Sequence, residues 1–150
     1  MAKTRSRSNG GGAQQAREPA PLVAIVDDDA SVRQSTDRLV RSFGYRTQVF
    51  ATGPEFLGSG AAQSAACALL DVRMPGMDGL EVQRCLAERR SRIPIVFLTG
   101  QASEEEERRA RSGGAVAFLR KPVAQASLRQ AIENVIRASE QGDNNDDRTS

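Results

Sequence analysis

Acidic, hydroxyl and amine side chains follow four short apolar segments of this sequence. The segment LVAIV ends at Asp27 and Asp28, ACALL ends at Asp71, IVFL ends at Thr99, and AVAFLR ends at Lys121. If these segments are parallel strands, their carboxyl ends lie at one edge of a sheet, where open α/β sheets bind ligands. The sequence therefore predicts one site with three carboxylates, one hydroxyl and one amine.

The chemistry of this set indicates a divalent cation and a phosphoryl group. Three carboxylates held about 4 Å apart repel by about 4 kcal/mol per pair at an effective dielectric of about 20, so they require a cation. Oxygen ligands favour Mg²⁺ or Ca²⁺ over zinc, and Mg²⁺ beside a lysine and a threonine suits a dianionic phosphoryl group. One carboxylate must then accept the phosphoryl group, and we choose Asp71 because its strand is central.

Each of these residues alone also has an ordinary structural interpretation. Asp or Thr after a strand is commonly a helix cap or a turn former, and a single lysine is commonly solvated. The five residues together, at the same ends of four strands, favour the site. Only two of the 21 basic residues are lysines, Lys3 and Lys121, and Lys121 directly follows a buried strand. We therefore expect Lys121 to point inward.

Apolar strands and amphipathic helices alternate five times along the chain. Short apolar runs bounded by turn formers predict strands covered on both faces, and the alternation predicts a parallel sheet between two layers of helices. The simplest arrangement is the flavodoxin-like α/β fold, a doubly wound sheet with strand order 2-1-3-4-5. The stretch from 59 to 65 is predicted as a loop. Strands are expected at 22–26, 46–50, 66–70, 95–98 and 115–119.

The composition indicates a single domain. The chain has 150 residues and a formal net charge of +2, and its arginines are interspersed with acids, which argues against a nucleic-acid surface. We expect a disordered tail at 1–20, a folded domain at 21–139 and a disordered polar tail at 140–150. Cys67 and Cys85 are expected to be buried thiols. The sequence has neither a membrane-spanning apolar run nor a signal peptide, so we expect a cytoplasmic protein.

The sequence resembles the receiver domains of response regulators in bacterial two-component signalling, and the FixJ-like branch is the most similar. The resemblance rests on four blocks in order, IVDDD, LLDVRMPGMDGLE, IVFLTG and GAVAFLRKP, and it covers residues 21–138. Any one block alone would be weak evidence, but the four together are specific. The resemblance implies the flavodoxin-like fold and phosphorylation of an aspartate in a Mg²⁺-dependent reaction.

The resemblance also implies a role for each acidic residue of the site. Asp71 resembles the phosphorylated aspartate. Asp28 and the backbone carbonyl of Arg73 would bind Mg²⁺ directly beside Asp71, and Asp27 would reach the metal through water.

Three further residues receive roles from the same resemblance. Thr99 and Lys121 would contact the incoming phosphoryl oxygens. Phe118 matches the aromatic that turns inward when the threonine moves toward the phosphate, although an ordinary core phenylalanine is the alternative. A cis peptide between Lys121 and Pro122 is implied as well.

Two features depart from the FixJ-like pattern. FixJ-like receivers normally precede a DNA-binding helix-turn-helix domain, whereas this sequence ends in a short polar stretch, so we expect a stand-alone receiver without direct DNA binding. The predicted helix 103–112, SEEEERRARS, opens with the capping-box spacing of Ser103 and Glu106. It carries Glu and Arg where relatives have apolar residues. It has three i,i+4 pairs, each worth only a few tenths of a kcal/mol, about 0.2–0.5: Glu104 with Arg108, Glu105 with Arg109, and Glu107 with Arg111. We expect this helix to dock weakly and to favour a charge-complementary partner over an apolar homodimer.

The sequence therefore favours a single-domain response regulator. It would accept a phosphoryl group on Asp71 from a sensor histidine kinase or a histidine phosphotransfer protein, and would signal by binding a partner or by shuttling phosphate. Such a protein catalyses only its own phosphorylation and dephosphorylation. A Mg²⁺-dependent phosphohydrolase is an alternative, but those enzymes commonly have a second acid two residues after the nucleophile, where this chain has Arg73. A degenerate receiver acting as a scaffold is the other alternative.

Overall fold

Five strands alternate with helices in this protein. The structure is a computed structural model that describes the backbone of residues 19–149 and the side chains of residues 19–140. The strands are β1 (Leu22–Val26), β2 (Arg46–Phe50), β3 (Cys67–Leu70), β4 (Ile95–Thr99) and β5 (Ala117–Arg120), and the helices are α1 (Ala30–Ser42), α2 (Gly53–Gly58), α3 (Ala61–Ser64), α4 (Gly79–Glu88), α5 (Glu104–Ser112) and α6 (Gln125–Thr149).

The strands form one parallel sheet in the order β2-β1-β3-β4-β5. This order confirms the predicted flavodoxin-like α/β fold. Every residue of β1, β3 and β4 is buried, as expected for strands that are covered on both faces, whereas the edge strand β2 has exposed and half-buried residues. The carboxyl ends of β1, β3, β4 and β5 therefore meet at one edge of the sheet.

Two apolar clusters cover the two faces of the sheet. One face packs against α1 and α6, with Val40, Leu128 and Ile132 fully buried between them and the strands. The other face packs against α2, α3, α4 and α5, and its cluster includes Phe56 and Phe97. The helices on both faces hold the strand ends rigidly, which is what a site built from several strands requires.

Polar side chains begin several of these helices. Asp29 accepts a hydrogen bond from the backbone N–H of Val32 at the start of α1. Ser103 and Glu106 form the predicted capping box at the start of α5, and a second capping box, which was not predicted, opens α4 at Asp78 and Glu81. Helix α4 begins directly after the loop that carries Asp71.

The structure corrects two details of the predicted organisation. The predicted loop from 59 to 65 contains the single helical turn α3, whose Ala61 and Ala62 are buried, so tertiary packing outweighs the loop-like composition. The backbone of the last helix is described as far as Thr149, and the disorder predicted for 140–150 stays a prediction. Cys67 is buried as predicted, but Cys85 is only half-buried because it lies at the edge of the packed face of α4.

Other predictions concern the N-terminus, the proline and the membrane. Most of the tail predicted for 1–20 lies outside the described residues, which begin at 19. The peptide between Lys121 and Pro122 is cis, as the resemblance implies. Within the described part of the chain, no helix is both long enough and apolar enough to cross a membrane.

Candidate phosphoryl and metal site

Four strand ends bring the predicted site residues together. Asp27 follows β1, Asp71 follows β3, Thr99 is the last residue of β4, and Lys121 follows β5. Backbone hydrogen bonds continue the sheet through this level: Asp71 N–H donates to Val26 O at 3.1 Å and Lys121 N–H donates to Thr99 O at 2.8 Å. The positions of these side chains are therefore set by the sheet itself and not by mobile loops.

Lys121 bridges two of the carboxylates. Its Nζ donates hydrogen bonds to Asp27 Oδ2 at 2.7 Å and to Asp71 Oδ2 at 3.1 Å. The side chains of Asp27 and Asp71 are only 7% and 9% exposed, and that of Lys121 is 19% exposed. Losing one partner of such an ion pair would leave a largely buried charge uncompensated. The inward position predicted for Lys121 is thus what the structure has.

Three carboxylates form a cluster that could hold a metal ion. One oxygen each from Asp27, Asp28 and Asp71 lies within 4.8 Å of the others. Lys121 offsets one of the three negative charges, and Asp28 is exposed at the mouth of the cluster. All the donors are oxygens, which suits a hard divalent cation such as Mg²⁺. The donor set therefore fits Mg²⁺, the metal that the resemblance implies.

Burial and charge act in opposite directions on the ionisable groups. Burial raises the pKa of Asp71 above its usual value and Asp27 adds to this rise, while the hydrogen bond and charge of Lys121 oppose it. Burial lowers the pKa of Lys121, but its hydrogen bonds to Asp27 and Asp71 outweigh burial, so this pKa is raised. The lysine is therefore held in its charged form, and further positive charge near Asp71 would favour the carboxylate.

The loop after Asp71 is packed closely against the start of α4. Arg73 N–H donates to Asp71 Oδ1 at 3.1 Å, and Gly79 N–H donates to Val72 O at 2.9 Å. A Cβ atom on Gly79 would lie 2.2 Å from the carbonyl oxygen of Asp71. Glycine is thus required at this position because the helix start touches the backbone of the acidic residue.

The Thr99 hydroxyl is engaged with the loop that follows β4. Thr99 is fully buried, and its Oγ1 donates to Gln101 O at 2.8 Å and accepts from Gln101 N–H at 3.3 Å. This local turn holds the hydroxyl at the end of β4 and joins it to residues 100–103. A change in the position of the Thr99 side chain must therefore disturb this loop.

Phe118 lies in the core beneath the site. It is 8% exposed and its ring centroid is 5.9 Å from that of Phe97. The Phe118 ring is therefore already inside the core in this structure. The inward turn that the resemblance implies for Phe118 stays a prediction.

Two arginine contacts beside the site were not predicted from the sequence. The Arg73 side chain pairs with Glu106 at 2.8 Å, and Arg120 pairs with Glu107 at 3.0 Å. Alternation along β5 places Arg120 on the same face as Phe118, two residues away, so its side of the sheet could have been read from the sequence. The glutamate partners could not, because their positions depend on how the loop before α5 is folded.

Comparisons with known proteins agree with this fold. The family model described as the response regulator receiver domain matches residues 23–133. The chain is 37% identical over 130 residues to the response regulator protein TmoT of Ectopseudomonas mendocina, spanning 87% of this chain and 59% of TmoT. It is 36% identical over 118 residues to the transcriptional regulatory protein FixJ of Bradyrhizobium diazoefficiens, spanning 79% of this chain and 58% of FixJ.

A solved structure shows the same architecture. The response regulator StyR matches with a TM-score of 0.76 and 36% identity, covering 86% of this chain and 67% of that one. The chain spans less than two thirds of the length of TmoT and of FixJ. Since the family model covers most of the sequence and the fold is shared with a solved member, the chain belongs to the response regulator receiver domain family.

Proposed function

We propose that this receiver accepts a phosphoryl group on Asp71 from a histidine kinase or a histidine phosphotransfer protein. The observation that carries the proposal is the position of Lys121, whose Nζ bridges Asp27 and Asp71 at 2.7 and 3.1 Å inside the carboxylate cluster. A half-buried lysine held at an aspartate, with a metal-competent cluster beside it, suits transfer of a dianionic group. Family membership supports phosphoacceptor signalling in general.

The residues that would hold Mg²⁺ are Asp27, Asp28, Asp71 and the backbone carbonyl of Arg73. A bound Mg²⁺ would neutralise charge on the carboxylates and on the phosphoryl oxygens, which otherwise repel one another. Asp28 is the exposed member of the cluster, so a metal arriving from solvent would meet it first. Asp27 Oδ1 already accepts a hydrogen bond from the Asp29 N–H at 2.9 Å. This is consistent with Asp27 reaching the metal through a water molecule.

In the proposed transfer, a carboxylate oxygen of Asp71 forms a bond to phosphorus while the bond from phosphorus to the donor's histidine nitrogen breaks. The electron pair of the broken bond stays on the imidazole, which takes up a proton from solvent. Lys121 would move from the carboxylate oxygens to a phosphoryl oxygen, and the Thr99 hydroxyl would leave Gln101 O to donate to another. Lys121 and the Thr99 hydroxyl would thus each keep an acceptor for the hydrogen bonds they donate.

The proposed output is phosphorylation-dependent binding of a charge-complementary partner, or transfer of the phosphoryl group to a further protein. The helix α5 has a single buried residue, Ala110, and acidic residues through its first turn. Of the three i,i+4 pairs predicted there, Glu107 with Arg111 is formed at 3.1 Å, while Glu105 pairs with Arg108 instead of Arg109. Such a surface suits a polar partner better than an apolar homodimer. The stand-alone form, the cytoplasmic location and the absence of direct DNA binding remain predictions.

Incubation with Mg²⁺ and a small phosphodonor, followed by intact-mass measurement, tests the proposal. A single added phosphate that depends on Mg²⁺ and persists is the expected result. Continuous release of inorganic phosphate by a protein that stays unmodified would instead indicate a phosphohydrolase. A protein that neither gains mass nor releases phosphate, while remaining folded, would indicate a scaffold.

A further inference from the structure

Two arginines hold the loop between β4 and α5, residues 100–103, from opposite sides. On one side, Arg73 Nε donates to Gln101 O at 3.3 Å and its terminal nitrogen donates to Glu106 Oε1 at 2.8 Å. The same glutamate oxygen accepts from Ser103 N–H at 2.9 Å in the capping box of α5. Arg73 is thus bonded both to the loop and to the capping-box glutamate in the first turn of α5.

Arg120 makes the matching pair of contacts on the other side. One terminal nitrogen donates to Ala102 O at 3.1 Å and the other donates to Glu107 Oε1 at 3.0 Å. Its guanidinium also lies 5.5 Å from the ring centroid of Phe118. Each arginine therefore bonds one carbonyl of the loop and one glutamate in the first turn of α5, and a planar guanidinium can make both contacts at once.

The strand order explains why the contacts come in a matched pair. The strand β4 lies between β3 and β5, so the loop after β4 lies between the segments that follow its two neighbours. Arg73 is two residues after Asp71, and Arg120 directly precedes Lys121. At most one residue therefore separates each arginine from a residue that would contact the phosphoryl group.

Thr99 and Arg73 share one acceptor. The Thr99 hydroxyl donates to Gln101 O at 2.8 Å, and Arg73 Nε donates to the same oxygen. Because the arginine bonds hold Gln101 O where it is, they also hold the acceptor that keeps the hydroxyl in its present position. Moving the hydroxyl toward Asp71 therefore becomes easier when the loop is less firmly held.

We propose that Arg73 and Arg120 are positioning residues that hold residues 100–103, and through Gln101 the Thr99 hydroxyl, in the unphosphorylated arrangement. The strength of their bonds to Glu106 and Glu107 then sets how readily Thr99 reaches a phosphoryl group on Asp71. This inference rests on the proposed function and adds to it the residues that tune the response. Both arginines act through Thr99 and through the loop, and neither side chain needs to touch the phosphoryl group.

The inference predicts that weakening either contact tightens binding of a phosphoryl mimic. The Arg73 and Arg120 side chains are 56% and 49% exposed, so each contact contributes as an exposed ion pair and its loss should change the affinity by about two- to fivefold. The two contacts lie on opposite sides of the loop and share no side chain, so their effects should multiply to about four- to 25-fold in the double variant.

Glu106→Gln and Arg120→Gln test the two sides separately. Glu106→Gln keeps a side-chain oxygen for Ser103 N–H and removes only the charge that pairs with Arg73. Glu105→Gln is the matched control, because it removes the same charge from the same helical turn but its partner is Arg108, outside the loop. The measurement is the dissociation constant of beryllofluoride at saturating Mg²⁺, with urea unfolding recorded for every variant.

The expected result is tighter beryllofluoride binding by Glu106→Gln and Arg120→Gln, with Glu105→Gln matching the wild type. The Gln101 N–H donates a hydrogen bond to Thr99 Oγ1. Its hydrogen exchange should speed up in the first two variants and stay unchanged in the control. In a Thr99→Ser background, which keeps the hydroxyl, the affinity gains should remain, whereas in Thr99→Val they should disappear.

Unchanged affinity and unchanged exchange at Gln101 in both variants would overturn the inference while leaving the proposed function intact. Gains that persist in Thr99→Val would also overturn it, because the arginines would then act by another route. If Thr99→Val binds too weakly for comparison, unchanged exchange at Gln101 in Glu106→Gln and Arg120→Gln overturns the inference on its own. Failure of the wild-type protein to bind beryllofluoride would overturn the proposed function, and the inference with it.

Discussion

The close approach between Gly79 and Asp71 predicts how much a larger residue at Gly79 would change folding stability and phosphorylation rate. Gly79 is the first residue of α4, and its N–H is bonded to Val72 O at 2.9 Å. In Gly79→Ala, the new Cβ would lie 2.2 Å from Asp71 O and 3.0 Å from both Asp71 C and Val72 Cα. All three neighbours are backbone atoms, so no side chain can rotate away to make room.

The required displacement sets the expected size of the effect. Carbon and oxygen atoms pack best at roughly 3.5 Å, so the helix start and the Asp71 loop must separate by on the order of 1 Å. Overpacking of this kind costs about 1–3 kcal/mol of folding free energy. A reacting group misplaced by about 1 Å loses roughly 100-fold in rate. We therefore expect Gly79→Ala to lose both stability and phosphorylation rate, with the rate affected more severely.

Gly58→Ala is the matched control for this substitution. Gly58 is the last residue of α2, and a Cβ there would meet no atom within 4 Å. Alanine is favoured over glycine in helices by up to about 1 kcal/mol, so this control should be as stable as the wild type or slightly more stable. Urea unfolding and the rate of labelling by a small phosphodonor are the two assays. Wild-type stability and rate in Gly79→Ala would refute the claim that the helix start positions Asp71.

Two further predictions concern the charges of the site. Lys121→Met should lower the stability of the metal-free protein by about 3 kcal/mol, because it leaves the buried carboxylates of Asp27 and Asp71 without their cation. Mg²⁺ should restore part of this loss. Equal urea midpoints for the variant and the wild type would contradict the prediction. Asp28→Asn should raise metal-free stability by about 1 kcal/mol through relief of carboxylate repulsion. Mg²⁺ at about 100 times its dissociation constant should stabilise the wild type by about 2.7 kcal/mol and the Asp28→Asn variant hardly at all, and equal responses would remove Asp28 from the metal site.

The main elements of the site could be predicted because they follow from strand ends. Asp27, Asp71, Thr99 and Lys121 lie together once the parallel sheet is recognised, since the sheet alone determines where its carboxyl edge is. The apolar pattern of the strands and the capping residue Ser103 mark their elements locally. None of these predictions needed the conformation of a loop.

The arginine contacts and the short helix could not be predicted in the same way. Arg73 and Glu106 are 33 positions apart in the chain, and they meet only because the loop after β4 turns toward β3. The helix α3 has four residues, too few for a helical pattern to be visible, and it exists because Ala61 and Ala62 pack into the core. Tertiary contacts decide both features, and they leave little trace in the order of residue types.

The assignment of Asp71 as the phosphoacceptor is tested most directly by mapping the phosphate after labelling with a small phosphodonor. Wild-type protein and Asp71→Asn would be treated in parallel, with Mg²⁺ and with excess chelator, then digested and mapped by mass spectrometry. One phosphate on the peptide that contains Asp71, present only with Mg²⁺ and absent from the variant, is the predicted result. Phosphate retained by Asp71→Asn at the wild-type level, or wild-type labelling that is unaffected by the chelator, would contradict the proposed site.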